Sequence, residues 1–325
     1  MKPINEKAIA IIGTGKIAGF HVKALQEVGL NIEHVASSLA SKTCKSFAKQ
    51  YSIRNCWNDP LELINEGDWD ALVILTPTEF TLATLQNAME FDRPILVEKP
   101  ITHDSRALKN LNIHRKDVMV GYNRRFYPEI QKLKEIISKA STVNLFVEIP
   151  EKIPEFLLDK RKTFYPVFQN SVHVLDLIQF LVGTLKLESR MESEKLRGVS
   201  HISALLKSDK GHDVNLLFSF NAPTNFSITV DIGIERYILR PLEEINIFSG
   251  ISIIEPSEKK PYREYKPNLV SSSRSDPMEY KLKPGFFLQA LAFRNLVDGK
   301  SHENFATLKS TYDLIDLTEK ILGIP

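Results

Sequence analysis

Residues 8–30 read AIAIIGTGKIAGFHVKALQEVGL, a short apolar run that breaks into glycines and then resumes with helical spacing. Residues 8–12 are continuously apolar, as suits a strand of a parallel sheet covered on both faces. Gly13, Gly15 and Ala18 follow in the pattern GxGxxA. Gly13 permits a sharp turn, Gly15 leaves room for a pyrophosphate to approach the backbone, and Ala18 lets the next helix pack close to the strand. That helix is amphipathic through Ile17, Val22, Leu25 and Val28. Its N-terminus offers unpaired N–H groups and the positive end of the helix dipole to an anion. Strand, turn and helix together predict dinucleotide binding.

The same rhythm continues along the chain. Residues 32–37 read as a second strand and 42–50 as a helix; 61–65 is a short helix and 71–75 a buried strand running into Thr76-Pro77. A helix over 80–91 precedes the strand 94–97, which runs into Glu98-Lys99-Pro100, and the strand 118–121 ends in Tyr122-Asn123-Arg124-Arg125-Phe126. This alternation predicts an α/β fold, a Rossmann-like doubly wound parallel sheet over residues 1–122. In such sheets ligands bind at the carboxyl ends of the strands. An acid at the end of the second strand would select NAD through the ribose 2′-hydroxyl. Ser37 and Ser38 stand there instead, with Lys42 close in sequence. Serine hydrogen-bonds a 2′-phosphate without repelling it, so the strand end admits NADP as well as NAD.

Beyond Phe126 the pattern changes. A helix over 129–138, a strand over 143–149 and an amphipathic helix over 171–182 lead into strands at 202–206, 214–220, 226–232, 237–240 and 244–248. Successive strands joined by short turns predict a C-terminal α+β domain, residues 123–325, with a largely antiparallel sheet. Asn215, Ser219, Ser227 and Thr229 alternate with apolar residues, so one face of that sheet lies outside the hydrophobic core and meets water or another subunit. Residues 255–285 are rich in Pro, Ser, Lys and Arg without periodicity and read as a surface loop or a lid. Helices over 286–297 and 306–322 follow.

At 325 residues the chain suits two domains, and 43% hydrophobic residues with a net charge of +2 describe an ordinary globular protein with no call for nucleic acid or membrane. No apolar run approaches the ~18 residues of a membrane span. Cys44 and Cys56 make no metal-ligand pattern, and so few cysteines suit a reducing compartment, which predicts a metal-free cytoplasmic protein.

Taken together, GTGKIA at 13–18, Thr76-Pro77, Glu98-Lys99-Pro100, GYNRRF at 121–126, NSVHVLD at 170–176 and the closing segment from Phe286 resemble the Gfo/Idh/MocA family of NAD(P)-dependent oxidoreductases over nearly the whole chain. The tripeptide after PILV is the most specific of these. The resemblance implies a dehydrogenase or reductase acting on CH–OH groups of a sugar, inositol or nucleotide sugar, and a homo-oligomer formed through the C-terminal sheet. It implies cofactor contacts at Gly13, Gly15, Lys16, Ile17, Ser37, Ser38, Thr76, Pro77, Glu98 and Lys99. Substrate contacts are implied at Tyr122, Asn123, Arg125, Gln169, Asn170, His173 and Asp176, and catalysis by Lys99 and His173.

The chemistry of these residues agrees with such roles. A lysine held between a carboxylate and a proline can hydrogen-bond the oxygen on which charge develops during hydride transfer. His173 and Asp176 share a helix face, and an imidazole suits proton transfer at neutral pH. A guanidinium from Arg124 or Arg125 fits phosphate or carboxylate through a bidentate fork. Most relatives carry an Asp four residues before this His, where the chain has Gln169, and Asn170 is suited to cap the helix rather than to replace that acid. Gln169 favours a second reading, a catalytically weak or inactive cofactor-binding sensor, since the family fold also serves in a regulator of sugar metabolism. Lys99 and His173 favour the enzyme.

Overall fold

The structure is a computed structural model and describes residues 3–38, 41–154, 159–195, 198–274, 282–300 and 304–325. The chain divides into two compact units, Met1–Phe126 with Asp276–Asp316, and Tyr127–Ser275 with Leu317–Pro325. The break after Phe126 lies four residues beyond the expected boundary. More consequentially, a C-terminal segment returns to the first unit, a tertiary contact with no local signature.

The first unit is built on a six-stranded parallel sheet of β1 (Ala8–Ile12), β2 (Asn31–Ala36), β3 (Asn55–Trp57), β4 (Ala71–Ile74), β5 (Ile95–Val97) and β6 (Val118–Val120). Its order is β3-β2-β1-β4-β5-β6, with β1 paired in parallel to both β2 and β4. The order reverses between β1 and β4, which opens a crevice at their carboxyl ends. Every residue of β1, β4, β5 and β6 is buried, the physical counterpart of their unbroken apolar runs. Helices α1 (Ala18–Glu27), α2 (Cys44–Gln50), α3 (Pro60–Glu66), α4 (Thr78–Ala88) and α5 (Ser105–Leu108) make the connections. Cys44 on α2 and Cys56 on β3 are joined as a disulfide with Cα atoms 6.2 Å apart. The packing of α2 beside β3 brings them together, which a separation of 12 residues does not announce.

The second unit begins with α6 (Pro128–Ser138), β7 (Asn144–Ile149), α7 (Lys160–Thr163) and α8 (Val172–Val182). Strands β8 (Leu185–Lys195), β9 (Gly198–Ser208), β10 (Asp213–Ser219), β11 (Ser227–Ile232), β12 (Glu235–Leu239), β13 (Glu244–Ile254) and β14 (Glu264–Arg274) follow. With β7 they form an eight-stranded sheet in the order β14-β13-β12-β11-β7-β10-β9-β8. Only the β7/β10 pair is parallel among its pairings. Leu145, Val147 and Ile149 of β7 and Val214, Leu216 and Phe218 of β10 are buried on one face. The opposite face exposes Phe146, Met191, Leu205 and Leu217.

Two expectations fail here for identifiable reasons. Residues 264–274, read as loop or lid, are strand β14 paired along β13. Most residues of this outer ribbon are exposed on both faces, so no apolar alternation marks it; residues 275–281 lie outside the described residues. The helix expected to be amphipathic over 171–182 is α8, all of whose residues are buried, and it is preceded by a π-helical turn at Val167–Ser171.

Helices α9 (Phe286–Val297) and α10 (Leu308–Leu322) close the chain. Phe286, Ala290, Ala292, Phe293 and Val297 of α9 share one core with Ala18, Val22 and Leu25 of α1. Among the described residues no helix is long and apolar enough to cross a membrane.

Candidate functional site

The crevice at the carboxyl ends of β1 and β4 holds a cavity of about 750 Å3. Gly13, Gly15 and Ile17 of the first turn line it, with Ser37 and Ser38 after β2 and Thr76 and Pro77 after β4. Lys16 is exposed and, like Glu98 and Lys99, lies outside its walls. The two glycines serve different needs. Gly13 has φ +110°, and a Cβ there would stand 2.5 Å from the carbonyl oxygen of Leu75, so the fold itself requires glycine. A Cβ at Gly15 would meet no atom within 4 Å and would project into open space. Packing within the protein therefore does not require glycine at 15.

The walls fit an adenosine dinucleotide. The Oγ of Ser37, on a residue only 6% exposed, has no hydrogen-bond partner among the described residues. A buried hydroxyl left unpaired at a cavity wall is a donor awaiting a ligand. Ser38, exposed, stands beside it, and a chain of hydroxyls runs from Ser41 to Thr43 at 2.7 Å and on to Thr14 at 2.6 Å. Asp59 also lines the cavity, but its Oδ1 accepts the backbone N–H of Leu61 at 2.8 Å and caps α3. Sequence reading missed Ser41, Thr43 and Asp59 as cavity residues, because each lies in a connection whose path the local pattern does not fix, and Phe80, in the first turn of α4, because its helix face is set by packing.

Lys99 follows β5, and Gly121 N–H donates to Val97 carbonyl at 2.8 Å, holding the end of β6 against it. Glu98 is fixed from two sides. Its Oε1 lies 2.7 Å from Nε2 of His21, and its Oε2 accepts the backbone N–H of Lys99 at 3.1 Å. His21 is 2% exposed and packs on Phe286 with ring centroids 4.9 Å apart. Its role escapes a motif search, yet a histidine among the buried positions Ala18, Val22 and Leu25 of α1 is a signal. Burial pushes the Lys99 ammonium below the usual lysine range; Glu98 opposes the shift, while Arg124 and Lys283 add to it. Tyr122, Asn123 and Arg125 are buried, and Asn123 Nδ2 donates to Pro284 carbonyl at 3.1 Å. Arg124 and Arg125 lie in the 3₁₀ turn Asn123–Phe126. Of the two, Arg124 is the one that acts on Lys99, although Arg125 is the one expected to reach a substrate.

In the second unit His173 and Asp176 are both buried on α8, whereas Gln169 is exposed in the π-helical turn. Asn170 does not cap α8. Its Nδ2 donates to Oε2 of Glu151 at 3.1 Å, and Ser171 Oγ donates to the same oxygen at 2.5 Å. The helix is entered from a preceding turn already helical in φ and ψ, which leaves no position for a side-chain cap. Glu151, 7% exposed, is a buried carboxylate that no local pattern singles out.

Residues 7–123 match the family model described as an oxidoreductase family with an NAD-binding Rossmann fold. An uncharacterised oxidoreductase of Bacillus subtilis (strain 168) is 29% identical over 182 residues, 54% of this chain and 53% of that protein, so the match spans about half the length of that relative. An inositol 2-dehydrogenase of Corynebacterium glutamicum (strain R) is 23% identical over 253 residues, 71% of this chain and 72% of that one. Among solved structures, a levoglucosan dehydrogenase in complex with NADH and L-sorbose shares the fold at a TM-score of 0.73 and 14% identity, over 98% of this chain and 96% of that chain.

Proposed function

We propose, from the match of residues 7–123 to an oxidoreductase family with an NAD-binding Rossmann fold, that the chain is a Gfo/Idh/MocA-type dehydrogenase or reductase that moves a hydride between NAD or NADP and a hydroxyl or keto carbon of a sugar-like substrate. The observation that carries this reading is Lys99, a desolvated lysine fixed by the Glu98–His21 pair at the carboxyl end of β5. Gly13, Gly15, Ile17, Ser37, Ser38, Thr76 and Pro77 would hold the dinucleotide, which supplies the hydride acceptor or donor when bound. Lys99 is assigned to donate a hydrogen bond to the reacting oxygen. An ammonium whose pKa is lowered is a stronger acid and so a stronger hydrogen-bond donor to the alkoxide that develops there, which favours the transition state over the ground state. His173 is assigned to take the hydroxyl proton. Gln169 can accept a hydrogen bond from an imidazole but offers no charge to an imidazolium, so this reading carries modest turnover with it.

Relatives named for inositol and levoglucosan support a sugar-like or polyol substrate. The test is a panel of sugars, inositols, sugar acids and nucleotide sugars with NAD and NADP, followed by absorbance of the reduced nicotinamide. Turnover with one member supports the enzyme. Dinucleotide binding without turnover across the panel supports the sensor reading that Gln169 favours.

We assign the open face of the second sheet to a second copy of this chain. Phe146, Leu205 and Leu217 lie on neighbouring strands β7, β9 and β10 of that face, with Met191 on β8. An apolar sheet face can meet its own copy across a two-fold axis, each residue finding its equivalent patch. Sedimentation of Leu217→Asp as a smaller species than wild type is the expected result.

A further inference from the structure

The segment that returns to the first unit brings it a cation for which hydride transfer alone has no use. Lys283 precedes α9, and its Nζ stands 5.4 Å from the ring centroid of Phe20 and 5.3 Å from that of Phe286. Phe286 packs on His21, and His21 meets Glu98, so contacts run unbroken from Lys283 to the residue before Lys99. The backbone is tied in the same place. Asn123, next to Arg124, is bonded to Pro284, next to Lys283, and the end of β6 that leads to Arg124 is bonded to the end of β5 that leads to Lys99. Lys99 feels both cations, each of which disfavours its own charge.

Arg124 and Lys283 thus both act on Lys99, and the carboxylate beside it, Glu98, has its oxygens engaged by His21 and the Lys99 backbone. Neighbouring cations disfavour the Lys99 charge, and a neutral sugar does nothing to offset that. An anion does. The aromatic faces of Phe20 and Phe286 hold the Lys283 ammonium in place by cation–π attraction. Lysine ammonium and arginine guanidinium both bind phosphate and carboxylate, the first as a point charge and the second as a fork.

We propose that Lys99, Arg124 and Lys283 bind an anionic group of the substrate, a phosphate or a carboxylate, so that the substrate is an acidic or phosphorylated sugar rather than a neutral polyol. This rests on the dehydrogenase reading and narrows it. Lys283 is the residue that sets the preference, and Lys99 serves both the anion and the reacting oxygen.

The test uses the full chain saturated with NADH or NADPH at constant ionic strength. Inorganic phosphate, D-glucuronate, D-glucose and myo-inositol are titrated in separately and followed by calorimetry. Saturable binding of phosphate or glucuronate, with no heat from the neutral pair, is expected, and the better of the two anions identifies the group recognised. Lys283→Ala should weaken that binding tenfold or more and Lys283→Arg should restore most of it, with the affinity for dinucleotide unchanged in both. Equal or better binding of glucose or inositol, binding of neither anion, or an unchanged anion affinity in Lys283→Ala would overturn the proposal. So would a Lys283→Ala variant that loses dinucleotide instead, since the cation would then belong to the cofactor. Failure of the wild type to bind either dinucleotide is a separate result and removes the dehydrogenase reading itself.

Discussion

Gly13 and Gly15 are two residues apart, and replacing each should break a different property. At Gly13 an added Cβ must sit 2.5 Å from the Leu75 carbonyl oxygen at φ +110°. The backbone conformation alone costs an L-residue about 1–2 kcal/mol, and relieving the contact requires movement between the carboxyl ends of β1 and β4. A loss of at least about 2 kcal/mol lowers the melting temperature of a unit of this size by about 4–8 °C. At Gly15 the Cβ of a valine meets no protein atom within 4 Å, so Gly15→Val should melt within a degree or two of wild type. The same side chain occupies the space through which a pyrophosphate reaches the backbone N–H groups. Losing one hydrogen bond to a charged group removes about 1.5–3 kcal/mol, and steric displacement adds to it, so dissociation constants for NADH and NADPH should rise at least about 100-fold, or about 2.7 kcal/mol. Thermal denaturation and calorimetry on the two variants read the two effects separately. Wild-type affinity in Gly15→Val would show that the pyrophosphate does not lie over this turn, and an unshifted melting curve in Gly13→Ala would refute the packing argument at β4.

The remaining expectations address selectivity, protonation and stability. With Ser37 and Ser38 at the end of β2, NADPH should bind at least as well as NADH and Ser38→Asp should penalise the phosphorylated cofactor; a wild-type preference for NAD above tenfold, about 1.4 kcal/mol, would contradict this. Lys99→Met should reduce turnover about 100-fold or more while leaving cofactor binding intact. Lys99 must be protonated to donate, and its pKa is lowered, so the alkaline limb of kcat/KM should lie below the ordinary lysine value of about 10.4. Glu98→Gln removes the charge that holds this pKa up and should move the limb to lower pH, whereas an unmoved limb would assign it to another group. Gln169→Asp adds a negative charge four residues before His173 and should raise both turnover and the imidazole pKa in an NMR titration; no change in either would mean that the two side chains do not interact. Glu151→Ala leaves the fully buried Ser171 hydroxyl without its acceptor, a loss of about 1–3 kcal/mol. Calorimetric melting should fall by several degrees, with Glu151→Gln recovering most of it.

How much of this could be read from the chain depends on what each residue touches. The strands β1, β4, β5 and β6 are covered on both faces, so their burial is written as uninterrupted apolar runs and the parallel sheet is legible from sequence. The glycine turn is legible because its constraints are local. β8 is not, since its sequence LKLESRMESEK is that of an edge strand whose charges guard it against further pairing. β14 hides for a related reason, being exposed on both sides. At the site, Lys99 and Ser37 stand at strand ends, where position alone suggests a role. His21, Lys283 and Glu151 acquire theirs from partners 77, 263 and 20 residues away, and no periodicity carries that information.

The return of Asp276–Asp316 makes the first unit discontinuous, with most of its companion lying between its two pieces and Leu317–Pro325 following the second. A polypeptide that stopped at residue 126 would contain every strand of the parallel sheet and the whole glycine turn, yet it would lack Phe286, Phe293 and Val297 from the core beside α1, and the Val297 carbonyl that Lys7 Nζ reaches at 2.5 Å. Cofactor binding in this protein is therefore not a detachable cassette. A ribosome must finish nearly the entire chain before the dinucleotide unit can complete its own interior, and any exchange of substrate-recognition segments between such proteins has to preserve three seams, after Phe126, Ser275 and Asp316.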